Sequence, residues 1–164
     1  MATQLKNLSD FSNTTIPNAA PYRFGIVVAE WNSKITGALY GGAYECLIEN
    51  GVIEDHIFTY SVPGSFELTS GADILLKSKN LDAVICLGCV IQGETRHFDF
   101  ICAAVANGIT NVAIKYAKPV IFGVLTTDNE QQAEDRAGGK HGNKGVEAAV
   151  TAIKMADLAN QLQY

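Results

Sequence analysis

Four short stretches of the 164-residue chain hold most of the side chains able to do chemistry. Glu30-Trp31-Asn32-Ser33 contains the only tryptophan, whose flat indole could stack on a planar heterocycle, with Asn32-Ser33 reading as a helix N-cap. Pro63-Gly64-Ser65-Phe66-Glu67 reads as a turn running into a helix. Its free backbone N–H groups can grip a polar ring while Glu67 accepts hydrogen bonds from hydroxyls. Gly93-Glu94-Thr95-Arg96-His97 enters another helix, so its amides offer an anion site to which Thr95 adds a hydroxyl. Glu94 fits a phosphate there only through its N–H, with the carboxylate turned away. His97 is the natural proton carrier of the set, because an imidazole can both take up and give up a proton in the physiological range. Arg136-Ala-Gly-Gly-Lys-His-Gly-Asn-Lys-Gly145 gathers three full positive charges and a histidine with no acid. Arg136 can hold a phosphate bidentately.

Each stretch also has a plainer use. Trp31 would serve as a half-buried packing residue at a loop, Ser65 as an N-cap with Glu67 facing the helix dipole, His97 as a capping residue, and the basic stretch as an exposed turn. The basic stretch lacks the Gly-x4-Gly-Lys-Ser/Thr spacing of a P-loop. Cys86-Leu-Gly-Cys89 has redox spacing, yet residues three apart in a buried strand face opposite sides of a sheet. No Cys or His spacing supports zinc, which points to metal-free chemistry.

The elements that must position these residues follow from hydrophobic patterning. Apolar runs rich in β-branched residues at 24–29, 57–62, 83–90 and 120–125 read as strands. Three of them are nearly continuous, as expected of parallel strands buried on both faces. Helical patterns occupy about 34–50, 66–78, 98–116, 130–137 and 144–162, the last two split at Gly138-Gly139. The order implies a flavodoxin-like three-layer α/β/α sandwich with a four-stranded parallel sheet. In such sheets ligands bind beyond the carboxyl ends of the strands, where Trp31, the Pro63–Glu67 turn, the 88–97 stretch and Thr126-Thr127-Asp128 fall. The domain covers 22–164. Residues 1–21, polar and carrying Pro17 and Pro21, read as an N-terminal arm without a core of its own, free or laid on a neighbouring subunit.

Only 18% of the residues are charged, against about 25% in an average soluble domain. Because charge depletion marks interface cores, this suggests surface covered by further copies of the chain. A net charge of −5 argues against nucleic-acid binding. No uninterrupted apolar run of 18 residues is present and the first twenty residues lack the features of a signal peptide, so no membrane association and a cytoplasmic location with reduced cysteines are expected.

Taken together, Val62-Pro-Gly-Ser-Phe-Glu67, Leu87-Gly-Cys-Val-Ile-Gln-Gly-Glu-Thr-Arg-His-Phe-Asp99, Val120-Ile-Phe-Gly-Val-Leu-Thr126 and the Arg136–Gly145 stretch resemble the signatures of lumazine synthases, in colinear order from about Arg23 onward. The resemblance implies condensation of two small-molecule substrates, 5-amino-6-(D-ribitylamino)uracil and 3,4-dihydroxy-2-butanone 4-phosphate. The products are 6,7-dimethyl-8-ribityllumazine, phosphate and water, the penultimate step of riboflavin biosynthesis, with no cofactor and no metal. It implies that Trp31 stacks on the pyrimidine, that Ser65, Phe66 and Glu67 grip the ring and ribityl chain, and that Cys89, Val90 and Ile91 contact the ring largely through backbone. Glu94 and Thr95 would hold the phosphate with Arg136 as counter-ion, and His97 would be the acid/base. Phe122 would come from a neighbouring subunit, with Lys144 close by. It further implies a homo-oligomer, a pentamer that some members stack twelvefold into a 60-subunit icosahedral shell, and an association with riboflavin synthase. The short Gly138-Gly139 link looks like the shell-forming type. Two departures stand out: Trp31 where many members carry Phe, and Gln92 where many carry Arg.

Overall fold

Phe-Gly-Ile-Val-Val-Ala forms β1 (Phe24–Ala29), with five of its six residues buried. In the computed structural model, which describes residues 7–162, this strand lies inside a parallel sheet of order β2-β1-β3-β4, with β2 at Ile57–Val62, β3 at Ala83–Ile91 and β4 at Val120–Thr127. β2 is the half-exposed edge, which is why its pattern is less continuous than that of β1 or β3. The three-layer arrangement expected from the sequence is present. Helices α1 (Ser33–Glu49) and α5 (Lys144–Gln161) cover one face, and α2 (Leu68–Ser78) and α3 (His97–Tyr116) the other.

Strand alternation divides the core accordingly. Phe24, Ile26, Ile85 and Leu87 meet Ile35, Leu39, Leu47 and Ile153 on the α1/α5 side. Val27 and Val84 meet Leu68, Leu75, Val105 and Ile109 on the α2/α3 side. Cys86 belongs to the second group and Cys89 to the first, so the two thiols do face opposite sides. Burial pushes Cys86 up to about 12 and Cys89 up to about 11, the latter helped by the charge of Glu130. Neither is a thiolate at neutral pH.

Two helix boundaries differ from the sequence reading. The helix expected from residue 66 begins as a 3-10 turn, Ser65–Glu67, before α2. The helix expected over 130–137 is the five-residue α4 (Glu130–Glu134), after which β5 (Ala137–Gly139) pairs antiparallel with β6 (Gly142–Asn143). Gly138 (φ 110°) and Gly142 (φ 78°) supply the left-handed conformations this hairpin needs. The Asn143 side chain then caps α5, accepting from the Gly145 N–H at 2.8 Å.

Of the expected N-terminal arm, residues 1–6 lie outside the described residues, and 7–21 run over the α1/α5 side of their own chain. Phe11 and Ile16 pack on that core and Ala19 is fully buried within it. On the opposite side α3 buries only Val105, Ile109 and Val112, and leaves Phe100 and Ile114 each 73% exposed. By length and composition this helix could cross a membrane; here it lies along the sheet beside α2. The two are joined at Asp73 of α2, which pairs with Lys115 of α3 and with Lys77 (2.5 Å) and accepts from the Tyr116 hydroxyl at 2.9 Å. The Lys115 ammonium, then that of Lys77, holds the Asp73 carboxyl well below the usual carboxylate range.

Candidate active site

The β1–β2 ladder continues beyond β1. Glu30 N–H donates to Val62 O at 2.8 Å and Trp31 N–H to Pro63 O at 3.1 Å. The backbone of Trp31 is therefore fixed beside the Pro63-Gly64 turn, while the residue as a whole is 74% exposed, far from a half-buried packing role. Asn32 follows in the left-handed region (φ 60°, ψ 45°), which Asn tolerates better than most residues. Its carbonyl accepts from the N–H groups of Ile35 and Thr36 and so starts α1. Asn32 thus holds the N-cap position expected from the sequence, but its side chain makes no capping bond. The amide instead donates to the Cys89 carbonyl at 3.0 Å, tying the tip of β1 to that of β3.

Ser65 also departs from its expected capping role. Gly64 occupies the cap position, extended at φ −150°, with no side-chain capping bond. The Ser65 hydroxyl is buried against Gly88, where an added Cβ would sit 2.6 Å from Oγ, and has no hydrogen-bond partner among the described residues. A buried unpaired hydroxyl costs about 1–3 kcal/mol, which a polar ligand group would recover.

Between these strand tips lies a cavity of about 560 Å³ lined by Trp31, Asn32, Gly64, Ser65, Phe66, Glu67, Cys89, Val90, Ile91, His97 and Ile101. Its volume falls in the range of small-molecule sites, roughly 300–1,000 Å³. Eight residues singled out from the sequence meet here: Trp31, Ser65, Phe66, Glu67, Cys89, Val90, Ile91 and His97. Three more, Asn32, Gly64 and Ile101, complete the wall. His97 is the first residue of α3, and its N–H donates to the Thr95 hydroxyl at 3.4 Å. The Gln92 carboxamide donates to Gly93 O at 2.8 Å within the same exposed loop.

The other five residues lie outside the cavity lining of their own chain. Glu94 and Thr95 stand on the exposed 92–96 loop. Phe122 belongs to β4, the edge strand beyond β3, and packs on the α2/α3 core, whereas the cavity spans the tips of β2, β1 and β3. Arg136 follows α4 and its guanidinium donates to Gln132 O at 2.9 Å. Lys144 opens α5 and pairs with Glu147 at 2.7 Å.

The family model for 6,7-dimethyl-8-ribityllumazine synthase matches residues 21–160. The chain belongs to the lumazine synthase family. Among relatives so named, the one from Cytophaga hutchinsonii is 63% identical over 94% of this chain and 97% of its own length. Those from Flavobacterium johnsoniae and Porphyromonas gingivalis are 56% and 54% identical, covering 98% and 96% of this chain and 85% and 98% of their own lengths. Within this lumazine synthase fold, Asn32 is the wall residue whose role the sequence hid: Asn before Ser-Lys at a helix start looks like a cap, and its actual partner lies 57 residues away. The only local hint is that Asn accepts a left-handed backbone.

Proposed function

We propose that the chain condenses 5-amino-6-(D-ribitylamino)uracil with 3,4-dihydroxy-2-butanone 4-phosphate in this cavity, releasing 6,7-dimethyl-8-ribityllumazine, phosphate and water. The observation that carries the reading is one pocket joining an exposed Trp31 to a buried Ser65 hydroxyl that has no partner among the described residues, with His97 on its wall. Trp31 stacks on the pyrimidine, and Ser65, Phe66 and Glu67 hold the ring and the ribityl hydroxyls. Cys89, Val90 and Ile91 offer backbone groups at the end of β3. The substrate amine attacks the ketone and loses one water to give an imine, phosphate is eliminated, and the ribityl-bearing nitrogen closes the ring on the remaining carbonyl with loss of a second water. His97 moves protons during these steps, while much of the acceleration comes from holding two reactants in register.

The phosphate end needs charge that the cavity of a single chain lacks. Glu94 and Thr95 offer amides and a hydroxyl at the entry to α3, and Arg136 is the counter-ion. Phe122, Arg136 and Lys144 stand outside their own cavity, so a neighbouring copy completes the pocket. This reading makes the exposed apolar side of α3 an interface in a pentamer, which the short β5–β6 link suits for stacking into a 60-subunit shell. It also puts the protein in the cytoplasm, in association with riboflavin synthase.

Incubating the purified chain with both substrates yields the absorbance and fluorescence of the lumazine well above the rate in buffer. A rate equal to that of buffer contradicts the reading.

A further inference from the structure

The β5–β6 hairpin is a poor structure by itself. It has two paired positions with an irregularity between them, and three of its residues, Gly138, Gly139 and Gly142, are glycines. Short isolated hairpins are marginal in water and glycine loses the most entropy on ordering. Yet this hairpin fixes the backbone on both sides of the cationic residues: the Arg136 carbonyl accepts from the Lys144 N–H at 2.8 Å. On its inner side it is held by the Asn143 amide, which donates to Ala38 O of α1 at 2.9 Å. The Lys140–Asp135 ion pair (2.9 Å) closes its turn.

Its outer side is held by the start of the N-terminal arm. Leu8 N–H donates to His141 O, and Asn143 N–H donates to the Ser9 hydroxyl, both at 2.8 Å. Ser9 is itself oriented by its N–H donating to the Asn7 side chain at 2.9 Å. The approach is close enough that a Cβ on Gly142 would lie 2.8 Å from the backbone nitrogens of both Leu8 and Ser9. Behind these contacts the arm is anchored by Phe11, Ile16 and Ala19 on the core and by Ala19 N–H donating to Asn50 O at 2.9 Å.

We propose that residues 7–9 are positioning residues for the phosphate end of the site: the arm clamps the hairpin so that Arg136 is presented in a fixed geometry to the phosphorylated substrate. Ser9 touches no reacting atom and acts only through Asn143. The proposal rests on the assignment of Arg136 to phosphate under the proposed function.

The test compares Ser9→Ala, Ser9→Thr and a chain lacking residues 2–9, with each substrate varied in turn and amide hydrogen exchange followed over 137–145. Ser9→Ala should raise the KM for the phosphorylated ketone about threefold, the worth of one net hydrogen bond, and the truncation should raise it about tenfold. In both, kcat and the KM for the pyrimidine stay within about twofold, Ser9→Thr behaves as wild type, and exchange over 137–145 quickens in the truncated chain. Arg136→Ala is run in parallel. If it raises the ketone KM while the arm variants do not, or if both KM values rise together, the clamp is wrong and the site reading stands. Unchanged exchange in the truncated chain also overturns the clamp. If Arg136→Ala leaves the ketone KM unchanged, the Arg136 assignment fails and takes the proposal with it, whatever the exchange shows.

Discussion

His97→Ala lowers kcat about a hundredfold with both substrates saturating, and leaves the KM for the pyrimidine within a few-fold. Positioned acid–base groups contribute on the order of 10² to 10⁴ in rate. The lower end applies because imine formation, phosphate loss and ring closure also draw on the alignment of the two reactants, which the alanine variant keeps. The geometry supports so selective an effect. His97 lines the cavity as the first residue of α3, while Trp31, Ser65 and Glu67, to which the proposed function gives the pyrimidine, come from the tips of β1 and β2. Removing the imidazole leaves that wall intact. Steady-state rates of lumazine formation check this; wild-type turnover in His97→Ala would remove the imidazole from the chemistry.

The second large effect is on stability. Gly145 is buried near the start of α5, where an added Cβ would lie 1.9 Å from the Leu39 carbonyl oxygen and 2.7 Å from its carbon. Both are backbone atoms in the middle of α1, so no rotamer change relieves the clash and the two helices must separate. Overpacking of a core typically costs 1–3 kcal/mol; with backbone as the obstacle we expect Gly145→Ala to cost about 3 kcal/mol or more. In a chain of this size that corresponds to a fall in Tm of about 6–12 °C, read by thermal unfolding. A Tm within a degree of wild type would mean that α1 and α5 do not approach this closely.

How far these features could be read beforehand depended on the distance over which each is determined. The sheet order and the two helical layers follow from apolar runs a few residues long and from short connections, and both were legible. So was the placing of Cys86 and Cys89 on opposite faces, a consequence of strand alternation alone. Eight cavity residues were legible because strand ends in an α/β sheet converge whatever the details of the loops. The local roles of Asn32 and Ser65 were not, since one side chain bonds across the sheet tips and the other has no partner among the described residues beneath Gly88. Three- and two-residue strands are too short for a periodic signal, so the basic stretch read as a bare turn between helices. Its grip by Leu8 and Ser9 spans more than 130 residues, and nothing in the polar arm announces it.

Trp31 is the only tryptophan, so the indole emission of the protein reports on this cavity alone. Titrating the protein with 5-amino-6-(D-ribitylamino)uracil while recording that emission tests the assignment of the cavity most directly. Stacking of the pyrimidine on the indole predicts saturable quenching whose midpoint matches the concentration dependence of turnover. Emission that stays constant through concentrations at which the enzyme turns over would place the pyrimidine elsewhere and contradict it.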